Sequence, residues 1–168
     1  MTTPELLEWL QSTTIGTTIQ ESQYGFPLVV AAHILGLSLS VGTLVWVDLR
    51  LLGVALTSSR VSDVYRGLAP WFLSGFAIML ISGAMLFAAY ATAAYPNSYF
   101  RIKMSALALA GLNALLFHAI TQRSQLGWDD SPRPPIGARV AGLTSLLLWA
   151  VVIVSGRMMS YTVFSSAP

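Results

Sequence analysis

Of 168 residues, 55% are hydrophobic and only 10% charged, and the mean hydropathy is strongly positive, which excludes an ordinary soluble domain and points to a bilayer. The absence of cysteine excludes a disulfide framework, a thiolate metal site and haem attached through thioethers. Nine Lys and Arg residues give a net charge of +2, but they are scattered among loop ends, so the basic balance is no nucleic-acid signature.

In chain order, "MTTPELLEWLQ" carries Glu5 and Glu8 and no basic residue, unlike the start of a secretory signal. Thr3 as cap, Pro4 and the first-turn acids, with Leu6, Leu7, Trp9 and Leu10 on one face, predict a short amphipathic interfacial helix over about residues 4–20. Runs free of Lys, Arg, Asp and Glu cover residues 22–47, 67–100, 104–122 and 140–156. A spanning helix needs about 20 mostly apolar residues. Four spans are therefore expected, over about residues 24–47, 70–93, 100–122 and 139–162, with Pro70 opening the second. "GWDDSPRPPIG" breaks the chain between spans three and four with three prolines. The expected fold is all-α: a single membrane domain, residues 1–168, built as an integral membrane four-helix bundle with the interfacial helix at its start.

Orientation follows from the basic residues beside the spans. Arg50, Arg60, Arg66, Arg123, Arg133 and Arg139 flank the loops after spans one and three, against Arg101, Lys103 and Arg157 on the other side. This places both termini outside, which in a bacterial inner membrane is the periplasmic face.

Ionisable residues within spans are costly and mark sites or interhelical ties. His33 sits in "AAHILGLSLSVGTLVW", and at about 100° per residue its face also carries Gly36 and Ser40. Such small residues let a neighbouring helix approach, or they leave room for a flat cofactor with His33 as axial ligand. A haem clamped between His33 and His118 is not expected. On parallel spans one and three the two histidines differ in depth by on the order of 15 Å.

Depth instead gathers His33, Lys103, Arg157 and Tyr161 around one outer-leaflet pocket, suited to haem b, with His33 as the metal ligand, or to a quinone-like lipid. Snorkelling of Lys103 and helix capping by Arg157 are the structural alternatives. At the inner end, His118 is level with Asp48 and Arg50, forming a second polar cluster in which Asp48 would hold the imidazole for proton handling or tie the helices. Met158 and Met159, near His33 in depth, raise copper as a further possibility. No nucleophile, phosphate loop or zincin helix can be assigned, so a catalytic activity of its own is not expected.

The segments "FPLVVAAHILGLSLSVGTLVWVDLRLLG", "YFRIKMSALALAGLNALLFH" and "LLLWAVVIVSGRMMSY" resemble a family of small bacterial four-helix integral membrane proteins of uncharacterised function. Its recurring polar positions fall on His33, Asp48, Arg50, Lys103, His118 and Arg157. More distantly, the histidine in the first span is similar to the membrane part of copper-resistance proteins and to membrane cytochromes b. The expected role is electron transfer through a bound haem or quinone beside a membrane redox partner. The alternatives are a structural subunit or anchor, and copper or proton-coupled transport, which would call for a homo-oligomer.

Overall fold

A computed structural model describes residues 2–121 and 127–164. In chain order these residues form α1 (Thr3–Gln11), α2 (Thr14–Glu21), α3 (Gly25–Leu52), α4 (Val61–Ala89), the single turn α5 (Ala91–Ala94), α6 (Ser98–Leu116) and α7 (Ile136–Phe164). A π-helical turn, Phe117–Thr121, carries α6 onward. The helices α3, α4, α6 and α7 are each long and apolar enough to cross a membrane. The chain is an all-α membrane four-helix bundle.

Several helices run beyond the predicted spans, because a helix continues past the apolar run wherever its end is held. α4 begins at Val61 rather than Pro70, so Pro70 lies inside it. Its start is capped from a distant loop: the Asp129 carboxylate accepts from Ser62 N at 2.8 Å and from Ser62 Oγ at 2.6 Å. A carboxylate there also meets the positive end of the helix dipole. α3 runs to Leu52 and stops at Gly53, whose φ of 73° is the left-handed conformation that glycine adopts without strain.

The amino-terminal segment is two helices rather than one. Thr13 breaks it: its backbone is extended and its Oγ1 accepts from Gly16 N at 3.4 Å, capping α2. α1 itself is capped one residue earlier than predicted, with Thr2 N donating to Glu5 Oε2 at 2.9 Å. The pair packs across one end of the bundle against α4 and α5. Gln11 Oε1 accepts from Thr92 Oγ1 at 2.8 Å, and Gln20 Nε2 donates to the Ala89 carbonyl.

The four long helices form two antiparallel hairpins, α3 with α4 and α6 with α7, joined along α3 and α7. The first hairpin is the tighter. A Cβ on Gly36 would lie 2.8 Å from Met79 N, and one on Gly75 2.5 Å from Ser40 N, so the two backbones meet through glycine. The small residues after His33 therefore make room for α4. By contrast, the backbones of α4 and α6 stand apart and meet through side chains such as Phe87 and Phe100, which leaves a cleft between them.

At the end opposite α1 and α2, Arg50 stitches two loops together. It is fully buried, with Nε donating to Ser59 O at 2.8 Å and Nη2 to Ser131 O at 3.0 Å and Asp129 O at 3.4 Å. Midway along the bundle, Met79, Ala106, Trp149 and Val152 form an apolar waist, backed by Leu37, Leu44, Phe76 and Leu107.

Candidate functional site

The cleft between α4 and α6 holds two cavities, one on each side of the waist, and all four long helices contribute to both. His33 lines the first and His118 the second. The two histidines thus line different cavities.

The His33 cavity measures about 320 Å³. His33 of α3, Lys103 of α6 and Arg157 of α7 line it, with aromatic walls from Phe26, Phe87, Tyr90 and Phe100. The walls are locked together: Phe87 and Phe100 stack at 5.1 Å, and Phe26 meets Tyr90 edge-on at 5.3 Å. Lys103 lies along Gly156, whose absent side chain leaves a channel for the lysine stem. Tyr161 does not line the cavity. It takes a hydrogen bond from Arg157 Nη2 at 2.8 Å, and the guanidinium lies 4.6 Å from its ring centre, so Tyr161 is the group that positions Arg157.

The imidazole is oriented from α4. His33 Nδ1 is 3.1 Å from Ser82 Oγ, and Ser82 Oγ in turn donates to the Ile78 carbonyl at 2.6 Å. With its hydroxyl proton given to Ile78, Ser82 is placed to accept from His33 Nδ1, in the tautomer that keeps a lone pair on Nε2. Gly83, the next residue, leaves space for the ring: a Cβ there would stand 3.1 Å from His33 Cε1. Sequence reading misses both Ser82 and Gly83. Their signal is the small pair "SG", one turn after Met79 on α4, which has meaning only once α4 is rotated against α3.

The second cavity measures about 210 Å³ and is lined by Asp48 of α3, Tyr65, Phe72 and Phe76 of α4, Asn113 and His118 of the third span, and Ser145 and Trp149 of α7, among others. Asp48 is only 3% exposed. Ser145 lines the same cavity from α7, while Asp48 Oδ2 is buried with no hydrogen-bond partner. The expected bond between Asp48 and His118 is not formed. The imidazole instead meets the rings of Tyr65 at 5.9 Å and Phe117 at 6.2 Å edge-on. Arg50, predicted in the same cluster, is turned away to the loop carbonyls. Asn113, unpredicted, ties α6 to α7 by donating Nδ2 to the Ala141 carbonyl at 3.0 Å.

Among the described residues no three His, Asp or Glu side chains gather in a metal-binding group. Of the two adjacent methionines suggested for copper, Met159 lines the His33 cavity and Met158 is exposed. No curated protein and no solved structure matches the chain. A sequence profile does match residues 6–162, nearly its whole length, and the chain belongs to the family of unknown function DUF6644.

Proposed function

We propose that the His33 cavity binds the head of a quinone-like lipid and holds it for electron exchange with a membrane redox partner. The observation that carries this reading is the oriented imidazole, with its Nε2 lone pair, in an aromatic cavity that also presents Lys103 and Arg157. A quinone ring offers flat faces to aromatic walls and two oxygens to cationic donors, and its reduced form offers hydroxyl protons to a lone pair. The excess of arginine beside the loops after α3 and α6 supports a cavity on the outer, periplasmic side of a bacterial inner membrane.

Haem b is the second reading, favoured by the same Nε2 lone pair: a ligating histidine commonly donates its other N–H to a fixed acceptor, as His33 does to Ser82. Lys103 and Arg157 would then meet the propionates. Purified protein separates the two. Quinone recovered by solvent extraction, and saturable binding of a short-chain benzoquinone that His33→Ala weakens at least tenfold, support the first. A Soret band that shifts on reduction and is lost in His33→Ala supports the second. A colourless protein without extractable or added quinone bound would sink both.

A further inference from the structure

Lys103 carries a charge that no acidic group among the described residues answers. It is a half-buried residue of α6 that lines the His33 cavity, and neither of the ion pairs among the described residues includes it. Its ammonium is reachable as well as unpaired. The buried side-chain atoms left without a partner are Ser40 Oγ, Asp48 Oδ2 and Arg50 Nη1, and Lys103 Nζ is not one of them, so it keeps surface that a ligand can meet.

Nor does the lysine climb to the membrane surface, as a snorkelling side chain would. Asn97 Nδ2 donates to Thr162 Oγ1 at 2.8 Å where α6 begins and α7 nears its end, and six residues inward from each lie Lys103 and Gly156. A Cβ on Gly156 would stand 3.7 Å from Lys103 Nζ, so the ammonium stays level with its own backbone, beside α7. The rest of the cavity adds to this charge rather than offsetting it. Arg157 lines it from α7, its Nη2 donating to the neutral hydroxyl of Tyr161, and none of the seven acidic side chains of the sequence lines it. A charge held away from water needs an opposite charge beside it, and a cation kept within a span marks a place where a partner arrives.

We infer that the His33 cavity selects a ligand head carrying one negative charge, an ionised hydroxyl on a quinone-like ring, with that oxygen paired to Lys103 Nζ. The inference rests on the quinone reading for the ring and adds the charge of the head. A neutral quinone gives Lys103 and Arg157 carbonyl oxygens to bond but leaves both charges uncompensated. An ionised ring oxygen accepts the same hydrogen bonds and cancels one of the charges. About 320 Å³ lies at the lower edge of the roughly 300–1,000 Å³ usual for small-molecule pockets, which suits a head of one or two rings laid against the aromatic walls.

The probes are 2-hydroxy-1,4-naphthoquinone, whose hydroxyl is ionised at neutral pH, and 2-methyl-1,4-naphthoquinone, which has the same rings and a neutral substituent of similar size. Each is measured by equilibrium dialysis at neutral pH against the whole chain in non-ionic detergent micelles, with empty micelles as the blank. The ionised ring should bind saturably, one per chain and at least tenfold more tightly than the methyl compound, and Lys103→Met should remove that preference. The comparison on wild-type protein decides the matter even if Lys103→Met does not fold. Methyl compound bound as tightly as the ionised ring, or more tightly, would overturn the inference and leave the quinone reading standing. Binding of neither would overturn both, and a folded Lys103→Met that kept the preference would overturn the pairing with Lys103.

Discussion

The two cavities share one cleft, the same four helices and similar aromatic walls, yet they treat their central ionisable group in opposite ways. His33 is finished: Ser82 fixes its ring, Gly83 makes space for it, and its neighbours Lys103 and Arg157 are cationic. Asp48 is left unfinished, with Oδ2 buried and idle and no cation paired to it among the described residues. The contrast teaches that one bundle can surround two ionisable groups of opposite sign, provided apolar packing keeps them apart. Changes on one side should then leave the other side intact.

The largest expected effect tests whether the Asp48 end depends on its loops. Arg50→Met removes the donor from three backbone carbonyls while keeping the bulk of the side chain. Unsatisfied buried acceptors make this change cost about 3 kcal/mol or more. The thermal midpoint of the purified protein should fall clearly, while quinone binding by the protein that remains folded is kept. An unchanged midpoint would mean that the loops hold without Arg50.

A smaller effect sharpens the contrast from the other side. Ser82→Ala frees the imidazole to rotate and to change tautomer, without touching the Asp48 cavity. Quinone affinity should drop about tenfold, or roughly 1.4 kcal/mol, while the thermal midpoint shifts by less than in Arg50→Met. An unchanged quinone affinity would show that Ser82 does not position His33.

The smallest effect belongs to Arg60→Gln. Arg60 Nε donates to Asp130 Oδ1 at 2.6 Å, but both side chains are mostly in solvent. Asp130 holds the guanidinium pKa above its ordinary value, first by that hydrogen bond and then by its charge. A raised pKa in the folded state gives a contribution that is complete below the ordinary arginine range and disappears only above it. The unfolding midpoint of the variant should therefore match the wild type across neutral pH, and a resolvable pH-dependent difference there would refute the assignment of this pair to the solvated surface.

The spans were legible because a bilayer demands long charge-free runs, and those runs stand out in the sequence. Depth was legible as well: a constant rise per residue is enough to separate His33 from His118 and to group His33 with Lys103 and Arg157. Azimuth was harder. Asp48 and Arg50 lie at one depth, but two residues turn a helix by about 200°, so their side chains leave α3 on opposite sides. Tyr161 shares the face of Arg157 and bonds to it, yet it stops outside the cavity. Gly36 and Ser40 carried two meanings until the position of Gly75 was known, because a small residue signals closeness without naming what comes close. The tie between Ser82 and His33 depends on how α4 is rotated against α3, and a single sequence holds no record of that rotation.

The waist between the cavities also works as an electrical septum. Met79, Ala106, Trp149 and Val152, with the leucines and phenylalanine behind them, carry no ionisable group. An apolar layer between two polar ends raises the cost of moving a charge from one to the other, so an ion that enters either cavity meets its steepest barrier at the waist.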